Sequence, residues 1–162
     1  MKILAKRRRL ENKTNYTKRK KLLEHSKSRI VIRKSNKYIT IQLVESKEAQ
    51  DFVKVHINSK VLLEHEWPKD RGGSLKSLGA AYLTGLLFGN KIKNVSGKKI
   101  LDTGLISSTK GSRIYAAVKG IIDAGVEVPC SKEVMPEEAR IISENVKSFF
   151  EKVKSSVMKG AK

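Results

Sequence analysis

Positive charge is crowded into the first quarter of this chain, and that limits what the chain can fold into. Residues 1–40 hold 15 Lys and Arg against two acids, Glu11 and Glu24, whereas residues 41–162 hold 20 basic and 14 acidic residues. So cationic a segment, with little apolar content, cannot bury enough surface to offset its own ordering entropy. It is expected to order against a partner. The whole chain carries a formal net charge of +19 over 162 residues. Such a surplus repels itself in a compact fold, so a polyanion is the expected neutraliser.

Nucleic acid and anionic membrane are the two polyanions to weigh. No apolar run reaches the ~18 residues needed to span a bilayer, and the arm lacks the wide Trp- or Phe-bearing face of a membrane-surface helix. Its charges recur as Arg7-Arg8-Arg9 and then Lys18-Arg19-Lys20-Lys21. Leu10, Tyr16, Leu22 and Leu23 are set among them. A solvated tail or a short import signal needs neither feature. Residues 17–25 read as a basic helix lying along a phosphate backbone. Met1 to Leu4 is too short for a signal peptide. The single cysteine, Cys130, excludes an internal disulfide and a cysteine-based metal cluster, and fits a reducing cytosol.

After the arm the pattern turns to strands. Arg29 to Lys34 is β-rich, Ser35-Asn36 is a turn, and Lys37 to Val44 alternates with Ile39, Ile41 and Leu43 on one face. Asp51 to Ile57 alternates again, with Phe52 opposite Val53, Val55 and Ile57. These runs predict an antiparallel three-strand meander. A helix follows over about 74–88, capped by Ser74 and ended by Gly89-Asn90. It is apolar on most of its circumference and hence buried. Gly79 and Gly85 each cost about 1 kcal/mol there relative to Ala, and close approach of another element is their expected use. Lys98 to Leu101 reads as a strand and 102–111 as a polar loop. A helix over about 112–124 carries Ile114, Ala117, Val118, Ile121 and Ile122 in one stripe, with Gly125 after it. Val126 to Val128 is a last short strand. Pro136 opens a final helix that runs to about 158.

The expected fold class is therefore α/β, a mixed sheet whose antiparallel meander precedes α-β-α-β, with helices packed on it. Residues 1–27 form a basic arm, 28–130 the core domain and 131–162 a C-terminal helical segment.

Catalytic patterns are missing. Gly97-Lys98-Lys99 lacks the upstream glycine of a phosphate-binding loop, and no dinucleotide fingerprint occurs. His25, His56 and His65 have no metal-ligand spacing, and His56 and His65 read as structural. The enzymatic alternative is a ribonuclease-H-like nuclease using Asp51 and Asp102 at strand ends. Two-metal chemistry needs several carboxylates converging on the ions, and here Lys and Arg surround them. Asp102 reads instead as ordering the 103–111 loop. A general basic nucleic-acid-binding protein is the other alternative. No cofactor and no metal are expected.

Four segments decide between these. They are Arg7-Arg8-Arg9-Leu10-Glu11-Asn12-Lys13-Thr14-Asn15-Tyr16, Arg33-Lys34-Ser35-Asn36-Lys37-Tyr38, Ala80-Ala81-Tyr82-Leu83-Thr84-Gly85-Leu86-Leu87, and Asp102-Thr103-Gly104-Leu105 with Lys110-Gly111-Ser112-Arg113-Ile114-Tyr115. In this order the chain resembles the archaeal and eukaryotic-type branch of the universal large-subunit ribosomal protein eighteen family. It departs from the pattern at His25-Ser26-Lys27-Ser28, which lacks a Gly-Pro pair, and at Ser107-Ser108. The resemblance implies a ribonuclease-H-like topology without its active site and no enzymatic activity. It also implies a structural role in the large subunit, where the protein binds 5S rRNA and helps anchor it to large-subunit rRNA in the central protuberance. Neighbouring ribosomal proteins are implied partners, with no membrane and no small-molecule substrate.

RNA of this kind is read through shape, phosphates and 2′-hydroxyls. Arg7, Arg8, Arg9, Lys13, Lys18, Arg19, Lys20 and Lys21 are expected on phosphates. Tyr16 is expected to stack on a base or pack on Leu22. Arg33, Lys34, Ser35, Asn36 and Lys37 form a second contact at the hairpin tip. Lys110, Ser112 and Arg113 form a third, at a helix N-terminus that favours phosphate.

Overall fold

The β-branched run after the arm forms strand β1 (Ser28–Lys34), and the alternating run beyond the Ser35-Asn36 turn forms β2 (Ile39–Lys47). The computed structural model describes residues 4–25, 28–48 and 50–159; Met1 to Ile3 and the Ser26-Lys27 departure lie outside them. β1 and β2 pair antiparallel with Ile30 opposite Leu43 and Ile32 opposite Ile41. These isoleucines and Leu43 are fully buried on one face of the sheet. β3 (Gln50–Asn58) pairs antiparallel with β2, and β4 (Lys99–Asp102) lies parallel to β1. The sheet order is β3-β2-β1-β4.

β3 departs from the simple alternation. Leu43 pairs with Val55 but Val44 pairs with Val53, so Lys54 is an extra residue in a bulge. Residues paired across a ladder point to the same face. Val53 therefore joins Val44 on the face opposite Val55 and Ile57, instead of sharing theirs. Phe52 and Val53 are both about half exposed on this edge strand, at 48% and 52%.

The core lies on the other side, against α3 (Leu78–Ile92) and α4 (Arg113–Asp123). α3 is buried nearly all round, as its composition predicts. Its backbone touches that of α4. A Cβ at Gly85 would overlap the Ala117 carbonyl, and one at Gly120 would overlap the Tyr82 carbonyl. Gly79 is less tight: a Cβ there would lie 3.1 Å from the Ile141 carbonyl and 3.2 Å from a Val146 methyl. Close approach is thus the use of these glycines.

Several boundaries move. α3 starts at Leu78, because Ser77 and not Ser74 accepts from the third amide on (Ala80 N, 3.2 Å). Ser74 belongs to a 3-10 turn (Lys69–Ser74), where its hydroxyl donates to the Arg71 carbonyl. α3 runs through Gly89-Asn90 to Ile92, since Gly89 is packed tightly on Ile121 and Ala124. No strand forms at 126–128. Val126 and Val128 are buried without a ladder, ending at Pro129, which has no N–H to give one. The single C-terminal helix is two, α5 (Glu138–Ile141) and α6 (Glu144–Lys159), broken where Ile142 leaves helical geometry (φ −92°, ψ 63°). Pro136 precedes the Glu137 cap instead of opening the helix. α6 still presents Val146, Phe149, Val153 and Val157 to the core, with Phe149 edge-on to Trp67 at 4.8 Å.

The arm is also more ordered than expected. α1 (Arg7–Leu10) and α2 (Tyr16–His25) form, and α2 is tied to the core by charged side chains.

Candidate nucleic-acid interface

The interface is built on the sheet face turned away from α3 and α4. Alternation in β1 puts Ile30 and Ile32 in the core and so sends Arg29, Val31 and Arg33 to this open face. The bulge at Lys54 brings Asp51 to the same face, opposite Ser46. Asp102 ends β4, opposite Val31. The result is a ladder of alternating charge across the sheet. Arg19 of α2 bonds Asp51 Oδ2 at 2.6 Å, and Arg29 bonds Asp51 Oδ1 at 2.8 Å. Arg29 also bonds Asp102 Oδ2 at 3.0 Å, and Arg33 bonds Asp102 Oδ1 at 3.1 Å. Arg29 sits in the middle and is only 1% exposed. A lone guanidinium could not stay charged and buried there; two carboxylates supply its compensation.

Electrostatics follow from this ladder. Burial pushes the Asp51 carboxyl up, but the Ser46 hydroxyl and Arg19, together with the charge of Arg29, outweigh it and hold the group below its ordinary value. Asp102 also accepts from the Gly104 amide at 2.8 Å, so it does order the loop after β4. Arg33 donates to the Asp102 carbonyl at 2.7 Å and lies against Gly104, whose φ is +64°. A Cβ at Gly104 would come within 3.0 Å of the Arg33 guanidinium carbon.

The same ladder answers the nuclease alternative. Asp51 and Asp102 do reach one face, but an arginine fills the space between them. No cluster of three or more His, Cys, Asp and Glu suited to a metal exists among the described residues. His56 meets Gln42 and His65 meets Ser156, both at 3.3 Å, in keeping with structural roles.

The arm divides its cations into two sets. Lys18 donates to the Gly104 carbonyl at 2.9 Å and Arg19 to Asp51, so both fasten α2 to the core. Arg8 donates through Nε to Thr14, and Lys13 pairs with Glu11 at 2.8 Å. Arg7, Arg9, Lys20 and Lys21 are exposed. Arg7 and Lys20 reach only solvent-exposed glutamates four residues on, both at 3.7 Å, and such pairs contribute little. Tyr16 is half-buried with the Lys6 ammonium 4.5 Å from its ring centre.

At the hairpin tip Lys34, Asn36 and Lys37 are exposed, while Ser35 Oγ is used internally, accepting from the Tyr38 amide at 2.9 Å. Before α4, Lys110 and Arg113 are exposed. Ser112 takes the cap position but makes no capping bond, and its buried hydroxyl has no partner. β1 and β4 are parallel, so the tip after β1 and the loop after β4 leave the sheet at the same end, which is where ligands commonly meet such sheets. The arm joins them there through Lys18. A cavity of about 140 Å³ marks the meeting point, between Arg8, Lys13, Lys18, Arg19, Arg33 and Gly104. A larger cavity, about 1230 Å³, lies elsewhere, beside α4 and the 126–136 segment. Two of its lysines, Lys99 and Lys119, spend their ammoniums on backbone carbonyls.

Sequence reasoning missed Arg29 and the clamp roles of Asp51 and Asp102. One signal was available, since Arg29 and Arg33 share a period-2 face opposite Ile30 and Ile32. Nothing in the sequence marks the bulge.

The chain is similar in sequence to known proteins. A family model described as ribosomal large subunit proteins 60S L5 and 50S L18 matches residues 2–99 and 93–131. The large ribosomal subunit protein uL18 of Korarchaeum cryptofilum is 47% identical over 148 residues, covering 91% of this chain and 74% of the relative. Those of Methanothrix thermoacetophila and Methanosphaera stadtmanae are 44% and 42% identical, covering 88% and 93% of this chain and 83% and 76% of the relatives. On this evidence the chain belongs to the uL18 family of large-subunit ribosomal proteins.

Proposed function

We propose that this chain binds 5S rRNA and helps anchor it to large-subunit rRNA in the central protuberance. Its family consists of structural constituents of the ribosome and not of enzymes. The observation that carries the finer reading is the arm's division of labour. Lys18 and Arg19 hold α2 on the sheet, while Arg7, Arg9, Lys20 and Lys21 stay exposed, as do Lys34, Lys37 and Lys110. A rigid cationic surface suits A-form RNA, whose deep groove side chains cannot enter and whose phosphates and shape are therefore what a protein reads. An arm held on the sheet loses less entropy on binding than a free one. Lys34, Asn36, Lys37, Lys110 and Arg113 extend the surface, and neighbouring ribosomal proteins complete its setting.

The test is a competition at fixed salt between 5S rRNA and duplex DNA carrying the same number of phosphates. A preference of 100-fold or more for 5S rRNA is expected. Equal affinity would make the chain a general basic nucleic-acid binder and end the proposal. If roughly 6–10 phosphates are neutralised, affinity should also drop about 10³–10⁵-fold between ~50 and ~200 mM salt.

A further inference from the structure

Six cations gather where α2 meets the loop after β4. They are Arg8, Lys13, Lys18, Arg19, Arg29 and Arg33, against three carboxylates, Glu11, Asp51 and Asp102. All but Arg29 line the 140 Å³ cavity, and Asp102 is the one acid in its wall. Both Asp102 oxygens are spent. Oδ1 accepts from Arg33 and the Gly104 amide, and Oδ2 from Arg29. The three carboxylates leave three of the six positive charges uncompensated around one space, and each of these raises the energy of the others.

Donors are left over as well. Arg8 uses Nε on Thr14, and its two terminal nitrogens have no partner among the described residues. Lys18 bonds the Gly104 carbonyl and the Thr103 hydroxyl, and can direct its third proton into the cavity. An anion placed there turns mutual repulsion into charge-assisted bonds. The volume corresponds to roughly four or five waters, which admits a phosphate group and not a nucleotide.

We propose that this cleft is the seat of a single RNA phosphodiester, gripped from the arm by Arg8, Lys13 and Lys18 and from the core by Arg33. The occupant rests on the RNA-binding reading above; the seat is a property of the folded chain. Because the ligand touches both parts, its binding and the docking of α2 stabilise each other. Gly104 serves the seat by leaving room for the Arg33 guanidinium.

The full-length chain can be titrated with inorganic phosphate at constant ionic strength, following backbone amides by NMR. Wild type is compared with Arg8→Gln, Lys18→Gln and, as a remote control, Lys152→Gln. Arg8 and Lys18 are exposed, so these changes leave the hydrophobic core intact, as melting curves verify; because Lys18 also fastens α2, unchanged α2 amide shifts in phosphate-free Lys18→Gln verify that the arm stays docked. Saturable shifts at Lys18, Thr103 and Gly104 are expected, at least tenfold weaker in Lys18→Gln and Arg8→Gln and unchanged in Lys152→Gln. Non-saturating shifts spread over Lys34, Lys110 and the arm would mean diffuse counter-ion binding and overturn the seat. Full affinity in both cleft variants would overturn it too. With 5S rRNA, each cleft variant should lower the slope of log affinity against log salt by about 0.7–0.9, one phosphate's share. An unchanged slope removes RNA as the occupant. If no RNA binds while inorganic phosphate still does, the functional reading fails and the seat alone survives.

Discussion

Replacing Arg29 with Met is the sharpest probe of the charge ladder. The guanidinium is 1% exposed and bonds Asp51 and Asp102, whose side chains are 31% and 9% exposed. Removing one partner of a buried ion pair costs about 3–5 kcal/mol, because the other charge is left uncompensated. Here each carboxylate keeps a second arginine, Arg19 for Asp51 and Arg33 for Asp102. The loss should therefore fall near the low end, about 3 kcal/mol. A domain is stabilised by only about 5–15 kcal/mol in all, so the effect is large. Urea unfolding of the full chain with linear extrapolation reads it directly. Arg29→Lys keeps the charge but cannot span both carboxylates, and should lose about 1.5–3 kcal/mol, the worth of one charged hydrogen bond. An Arg29→Met protein within about 1 kcal/mol of wild type, the ordinary effect of a mutation, would show that the ladder is not what holds this face together.

Two further outcomes follow from the geometry. Gly85→Ala puts a methyl into the Ala117 carbonyl, so α3 and α4 must part; overpacking of this kind costs about 1–3 kcal/mol, and the melting temperature should fall by several degrees. Asp51 has a depressed carboxyl in the folded chain. Its stabilising contribution is thus complete above the ordinary value of 3.8 and is lost as pH falls through the lower folded value. Urea midpoints measured from neutral to acid pH should drop more steeply for wild type than for Asp51→Asn, and parallel curves would contradict the assignment.

Local patterns were legible where one element's own chemistry decides the outcome. The Arg29–Lys34 run, the Ile39, Ile41 and Leu43 alternation and the Ile114 to Ile121 stripe name strands or helices because burial selects their period. The crowding of cations in residues 1–40 and the quoted segments point to RNA before any fold is drawn. Element ends were less legible. Ser74 and Ser77 are both good caps, and only the folded chain, where the Ser74 hydroxyl turns back to the Arg71 carbonyl, leaves the cap to Ser77. Gly89 reads as a stop until Ala124 is seen pressed against it, and Val126 to Val128 reads as a strand although no ladder receives it.

The sequence alone thus determines that a cationic arm precedes an α/β core and that the pair suits a polyanion, because charge and periodicity are properties of consecutive residues. It does not determine where the arm goes. Asp51 has the parity of Val53, Val55 and Ile57, and alternation would face it inward. One extra residue, Lys54, turns it outward, where it meets Ser46 and Arg29 and receives Arg19. That choice depends on β2 lying beside β3 and on β4 arriving from far along the chain with Asp102. Contacts so distant in sequence leave no trace in any window of neighbours, so only the folded structure reveals that the arm is seated on the sheet.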